Sequence, residues 1–283
     1  MNSPRIALGS FDVFGLRDGY FFLDGGAMFG VVPKVIWQKL IPADESNRIQ
    51  LGLNSLLIDT GEKKVLVDTG IGENLPSKYA EFYSPRRISG LFGELKKNNM
   101  QPEDIDYVIN THLHFDHSGG NTVKDEEGNF HPAFSNAEYV IQEKEWNNAI
   151  QPKGRDKPSY MDYLYFPIER EDQLHLVEGE EEILPGITVM PATGHTTGHQ
   201  IVRVQSGNST LFFLGDLIPT ALHVHLPYIM GYDQHPAETF ESKERFLEKA
   251  VKKGWIVAFN HDPNHFFGRI SEKDGKFVFQ PLN

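Results

Sequence analysis

Between Thr111 and Gly120 the chain reads T-H-L-H-F-D-H-S-G-G, which gathers His112, His114, Asp116 and His117 into six residues. Imidazole nitrogens and carboxylate oxygens at this density are the donor set of a divalent transition-metal site. The alternation has a geometric use. If the run leaves a strand and turns tightly at Ser118-Gly119-Gly120, then His112, His114 and Asp116 fall on one side at two-residue spacing. His117, one step further, can point to a neighbouring position, so a single loop can serve two adjacent ions.

Two ions require about six or seven protein donors, about three more than this loop offers. Three later segments offer them, each behind a short apolar run. Val189-Met190-Pro191-Ala192-Thr193-Gly194 leads to His195, Ser209–Gly215 to Asp216, and Trp255–Asn260 to His261. A buried strand that ends in one polar residue presents a rigid ligand, which a loop alone does less well. The expected arrangement places His112, His114 and His195 on one ion and Asp116, His117 and His261 on the other. Asp216 bridges the two. With zero cysteines the site is built from nitrogen and oxygen only, for which zinc is the leading ion and Mn, Co or Fe are alternatives.

The order H-x-H-x-D-H, G-H, G-D and a final strand-borne histidine resembles that of the metallo-β-lactamase-fold hydrolases. Val67-Asp68-Thr69-Gly70 is similar to the family's first motif, which implies that Asp68 supports the metal site from behind the ligands. The resemblance implies a four-layer αβ/βα sandwich with the metals at one edge, between two sheets. Leu23-Asp24-Gly25-Gly26-Ala27-Met28-Phe29-Gly30-Val31-Val32-Pro33-Lys34 resembles a signature of the YtnP-type branch of quorum-quenching N-acyl homoserine lactonases. So do Asp216–Thr220 and Tyr228–Asp233. The activity implied is opening of a lactone ring. Two ions would lower the pKa of a shared water from ~15.7 to ~7, supplying hydroxide at neutral pH. Asp116 would orient that nucleophile or move its proton. Better-known lactonases of this fold carry a tyrosine three residues after the bridging aspartate, and Pro219 stands there instead. His223, Tyr228 and Tyr232 are the candidates to replace it, and Met28 and Phe29 are expected at the lip of the pocket.

The elements that must position these residues are legible in outline. Strands are expected over Asn54–Asp59 and Lys64–Asp68, joined by a turn at Thr60-Gly61-Glu62-Lys63. The spacing of Ile88, Leu91, Phe92 and Leu95 predicts a helix over Ile88–Lys97. Ile105–Asn110 is the strand that feeds the histidine loop, and Glu138–Ile141 is another. A longer helix over Ala237–Lys253 buries Phe240, Phe246, Leu247, Ala250 and Val251 and stops at Gly254. Its lysines, interleaved with Glu241, Glu244 and Glu248, read as a solvated face.

Composition bounds the partners. The 283 residues carry no linker-like segment, so a single domain over 1–283 is expected, with an N-terminal extension over about 1–50. Apolar residues make up 39% and charged residues 23%, ordinary for a chain with a sizeable core. A net charge of −12 argues against nucleic acid, whose phosphates need clustered Lys and Arg. No apolar run approaches a membrane span and the start does not read as a signal peptide, so a cytoplasmic location is expected.

The pattern changes over about 142–172, where Trp146, Tyr160, Met161, Tyr163, Leu164, Tyr165 and Phe166 alternate with polar residues. This reads as an insertion, either an aromatic surface helix packed down at a possible homodimer contact or a wall of the substrate cleft. His131, His175, His235 and His265 lack partner spacing and are not expected as ligands; His225 reads as a loop residue. His199 reads as a supporting residue or strand start. Competing functions are a phosphotriester or ester hydrolase on the same metals and a non-catalytic sensor. The complete donor set disfavours the sensor.

Overall fold

The computed structural model describes residues 3–282. The first sheet runs in the order β1 (Arg5–Leu8), β2 (Phe11–Asp24), β3 (Arg48–Asp59), β4 (Lys64–Val67), β6 (Tyr107–Ile109), β9 (Glu138–Gln142) and β10 (Leu174–Val177). A short β5 (Arg86–Arg87) pairs with β2, and β7 (Thr122–Lys124) pairs separately with β8 (Phe130–Pro132). The second sheet runs in chain order through β11 (Glu181–Leu184), β12 (Ile187–Pro191), β13 (Gln200–Ser206), β14 (Ser209–Phe213), β15 (Ile256–Ala258), β16 (Phe267–Lys273) and β17 (Lys276–Pro281). Short helices α1 (Gly25–Phe29), α2 (Lys34–Trp37), α3 (Ser77–Tyr83) and α4 (Gly90–Lys97) precede the histidine loop, which itself contains α5 (Phe115–Ser118). After it come α6 (Glu143–Ile150), α7 (Phe166–Arg170) and the long α8 (Pro236–Lys253).

Strand alternation sets the layers. In β4, Val65 and Val67 face the second sheet while Leu66 faces the helices; in β14, Leu211 and Phe213 face the first sheet while Phe212 faces α8. Valine and isoleucine from β2, β3, β4, β6, β12, β13 and β15 fill the space between the sheets. Outside the first sheet, Leu91 and Leu95 of α4 and Trp146 and Ala149 of α6 cover Leu57, Leu66, Val108 and Tyr139. Outside the second, Phe246, Leu247 and Ala250 of α8 cover Phe212 and Val257. The result is the four-layer α/β sandwich, with the central strands of both sheets covered on both faces.

Strand direction explains where the chemistry collects. β4, β6 and β9 are parallel neighbours. β12 and β14 both run antiparallel to β13, and β14 is parallel to β15. The C-terminal ends of β4 and β6 therefore lie together, as do those of β12, β14 and β15, and these ends release Asp68, the histidine loop, His195, Asp216 and His261. Crevices beyond the carboxyl ends of parallel strands are where open α/β sheets place ligands.

Three expectations change. The helix begins at Gly90, because Arg86 and Arg87 pair with Tyr20 and Gly19 and the Ile88 amide donates to the Asp18 carbonyl at 3.1 Å; Ile88 is left exposed. The histidine-loop strand is confined to Tyr107–Ile109, since Pro102–Asp104 forms a 3₁₀ turn ahead of Ile105. On α8, Lys243 is fully buried rather than solvated, and Phe240 and Val251 are only half-buried. Among the described residues no helix is long and apolar enough to cross a membrane.

Candidate metal centre

The expected donors converge. Three trios, His112–His114–His195, His112–His117–Asp216 and Asp116–His117–His261, each offer donor atoms within 4.8 Å of one another. His195 Nε2 lies 3.2 Å from His114 Nδ1, and His261 Nε2 lies 3.1 Å from His117 Nε2. Asp216 stands between the groups: Oδ2 is 3.2 Å from His195 Nε2, and Oδ1 is 3.3 Å from His261 Nε2 and 3.5 Å from His117 Nε2. Asp116 Oδ2 lies 3.5 Å from His261 Nε2 and 3.9 Å from His117 Nε2. Donors at ~2.0–2.1 Å from a tetrahedral zinc stand about 3.3 Å apart, so these separations fit an ion. The buried Nε2 of His112 has no hydrogen-bond partner, an arrangement otherwise costly for a polar atom. Donor chemistry, spacing and this orphaned nitrogen together fit divalent metal.

The loop earns its shape from its glycines. A Cβ on Gly119 would stand 2.2 Å from the Ile71 carbonyl carbon, so the Ser118-Gly119-Gly120 turn packs backbone to backbone against the segment after β4. Asp68, at the end of β4 with φ +56°, holds the loop from behind. Its Oδ1 accepts from the Thr111 amide at 2.8 Å, and Oδ2 accepts from Thr111 Oγ1 at 2.9 Å and contacts His117 Nδ1 at 2.8 Å. His199 lies just ahead of β13; its Nε2 accepts from the Asp216 amide at 2.9 Å, leaving Nδ1 to donate to the Ala192 carbonyl at 3.0 Å. Burial, and then His195, drives His199 down to about 3, so the neutral tautomer this requires persists at working pH.

The sequence reading missed several partners. Asp233 Oδ1 meets His195 Nδ1 at 2.9 Å, the Gly52 carbonyl meets His261 Nδ1 at 2.9 Å, and Asn260 Nδ2 donates to Asp216 Oδ1 at 3.0 Å. Glu145 accepts from the Leu113 amide at 3.0 Å, from Tyr160 Oη at 2.9 Å and from Thr196 Oγ1 at 2.6 Å. The one signal for Asp233 was its place in the Tyr228–Asp233 resemblance; Glu145 had none.

The buried imidazoles and carboxylates shift one another's protonation in both directions. Burial, then the imidazoles of His117, His114 and His195, holds His112 well below the usual histidine range, in the neutral form a metal binds. Burial would raise the Asp216 carboxyl, but His195, His117 and His261 overrule it and hold it well below the carboxylate range. Burial opposes protonation of His117, but Asp216, Asp116 and Asp68 outweigh it and raise it.

The centre floors a cavity of about 270 Å³ containing His114, Asp116, His195, Asp216 and His261. Its walls are Leu23, Met28, Phe115 and Met230 on the apolar side and Tyr83, Tyr232, Arg155 and Asp156 on the polar side. The inserted segment divides between core and cleft, and its aromatic side chains are not the ones that line the cavity. Trp146 packs edge-on to Tyr165 in the core, while the turn at Arg155–Ser159 lines the cleft.

Three pocket assignments need correction. His223, Tyr228 and Phe29 line a different, larger cavity of about 790 Å³ that contains none of the proposed ligands. His223 Nδ1 lies 2.7 Å from Thr220 Oγ1 and Nε2 lies 2.8 Å from the Met28 carbonyl. Both ring nitrogens are occupied, and burial takes its pKa down to about 4, which leaves it a neutral structural residue. Phe29 is the partition: it stacks between His223 and Trp37 at centroid distances of 5.0 and 5.4 Å, with Tyr228 edge-on at 5.7 Å. His131 and His175 pair with Asp125 and Glu138, at 2.9 and 3.0 Å.

Comparison with known proteins places this architecture. The chain belongs to the metallo-beta-lactamase superfamily, whose family model matches residues 49–261. By homology it is a hydrolase. An N-acyl homoserine lactonase of Bacillus cereus is 28% identical over 235 residues, covering 76% of this chain and 83% of the relative. A probable metal-dependent hydrolase from Staphylococcus aureus is 33% identical, with a TM-score of 0.89 over 98% of this chain and 100% of the other. A dizinc quorum-quenching lactonase in complex with a product is 22% identical, with a TM-score of 0.82 over 100% of this chain and 98% of the other. That last likeness bears on fold.

Proposed function

We propose that the chain is a binuclear metal-dependent lactonase that opens N-acyl homoserine lactone or related lactone rings. The observation that carries this reading is the position of Asp216, with one oxygen facing His195 and the other facing His117 and His261. One carboxylate shared in this way divides the donors into two sets, His112, His114 and His195 against Asp116, His117 and His261. Zinc suits donors of this kind. Two such ions supply an acidified water and an electrophilic contact for the carbonyl oxygen.

The chain's own residues do the rest. Asp116 lines the cavity floor and is placed to take a proton from the attacking water and return it to the departing ring oxygen. Tyr232 lines the same cavity; burial, then Tyr83, Asp24 and Asp116, raises its pKa, so it stays a phenol and an O–H donor. We assign Tyr232 the role that Pro219 cannot fill. Leu23, Met28, Phe115 and Met230 form the apolar side against which an acyl chain lies and from which water is excluded.

The test is proton release when zinc-loaded protein meets homoserine and aliphatic lactones, with His112→Ala as the control. Ring opening by the wild type that the control lacks is the expected result, and Tyr232→Phe should lower the rate with its metal content intact. Silence across the panel from protein carrying two ions would overturn the lactonase reading and favour phosphotriesters or simple esters.

A further inference from the structure

We infer that Glu145 is a positioning residue that brackets the three-histidine half of the centre, tying both of its ligand loops to the inserted helix α6. The inference rests on the binuclear reading above. The bracket is built from both oxygens of one buried carboxylate. Oε1 accepts from the amide of Leu113, the residue between His112 and His114, and from Tyr160 Oη; Oε2 accepts from Thr196 Oγ1, next to His195. Tyr160 carries the bracket to a third point, because its ring lies edge-on to His114 at 4.9 Å. All three histidines of this half therefore adjoin a group that Glu145 holds. The equivalent contacts of the other half, Asp68 to His117 and Gly52 to His261, do not involve α6.

The helix can act as an anchor because it is fixed independently. Trp146 and Ala149, three residues apart on one face, are buried in the outer core. The turn after His195 is fitted to the same helix: a Cβ on Gly198 would stand 2.2 Å from the Glu145 amide nitrogen, so glycine there lets the ligand loop seat directly on the start of α6. A carboxylate has about four acceptor sites and no donor, which matches three donors converging from three segments. Support of this kind fixes ligand orientation, and its removal typically weakens metal binding about 10- to 100-fold.

The experiment counts zinc in competition with a chromophoric chelator, in wild type and in Glu145→Ala, Glu145→Gln and Thr196→Val. We expect two binding steps in the wild type. In Glu145→Ala one step should weaken by about 10- to 100-fold and the other should stay in place. Glu145→Gln should restore most of the loss, since its carbonyl oxygen can still accept from Leu113 and Tyr160 and its amide can donate to the Thr196 hydroxyl. Thr196→Val should weaken the same step less. Cobalt(II) absorption supplies a second readout, in which only one ion's spectrum should change. If Glu145→Ala does not fold, the other two variants carry the test.

Equal weakening of both steps, or none in any variant, would overturn the bracket. A wild type that binds one ion per chain would overturn the binuclear reading instead. The variants would then report on that single ion, unchanged affinity refuting the bracket and lowered affinity upholding it.

Discussion

On the binuclear reading proposed above, the two halves of the centre use similar side chains but are braced largely by different parts of the molecule. His117 and His261 are held by Asp68 at the end of β4 and by the Gly52 carbonyl within β3. Both strands lie inside the first sheet, flanked by hydrogen-bonded neighbours and covered on both faces. In the other half His112 shares Asp68 through Thr111, whose Oγ1 lies 3.1 Å from its Nδ1, but His114 and His195 lean on Tyr160 of the insertion and Asp233 of the segment ahead of α8. Elements outside a sheet open locally at lower free energy than its central strands. The contrast teaches that one half takes its geometry from the sheet, while two of the three histidines of the other half take theirs from segments outside it. It follows that the three-histidine half should be the first to lose its ion.

The severest way to break this comparison is to remove the group both halves share. Asp216→Ala deprives each half of an oxygen and leaves the buried imidazoles of His195, His117 and His261 without their carboxylate. Metal analysis after dialysis should find both ions lost, a deficit beyond the ~100-fold that supporting residues cost. Two tightly held ions in that variant would refute the bridging role.

A paired substitution sharpens the contrast. Asp68→Ala removes the acceptor of the Thr111 amide and hydroxyl together with the partner of His117. Breaking a buried charge network of this kind costs about 3–5 kcal/mol, which a shift in the urea midpoint will show. Asp233→Ala removes the single contact to His195 Nδ1 and should cost about 1–3 kcal/mol, while weakening one metal step alone. Equal losses of stability in the two variants would mean that the sheet gives its half no special support.

These partners also mark where the sequence stopped being legible. The ligands could be read because their signal is local: a two-residue alternation, or one polar residue at the end of an apolar run. The sandwich was legible through the family resemblance that the motifs carry, whereas the succession of strands and helices by itself reads only as a layered α/β architecture. Glu145 could not be found, since its partners at Leu113 and Thr196 lie 32 and 51 residues away and nothing in E-K-E-W distinguishes a buried glutamate from a solvated one. Asp233 reaches back 38 residues in the same way. His223 and Tyr228 were candidates to replace the tyrosine absent at Pro219, but the 3₁₀ turn that follows Thr220 carries them to the far side of Phe29, into the larger cavity. Lys243 sits among glutamates at helical spacing, so its burial is invisible until the loop it supports is folded against it.

That lysine gives the smallest effect and one confined to scaffold. Its Nζ donates to the carbonyls of His225, Leu226 and Tyr228 at 2.9, 3.2 and 2.8 Å, pinning the loop that lines the larger cavity. Lys243→Met leaves three carbonyls without a donor and should cost about 1–3 kcal/mol, with both metal steps unchanged. The pH dependence follows from burial, which pushes the ammonium down from 10.5 to about 7 against an opposing pull from Asp233. Between those values the unfolded chain keeps a proton that the folded chain releases, so stability from this group rises as pH climbs from about 7 toward 10.5. Urea midpoints at pH 7 and pH 9 should therefore diverge in the wild type more than in Lys243→Met. An equal divergence in both would mean that the three carbonyls hold the ammonium charged throughout, as three acceptors for three N–H donors would.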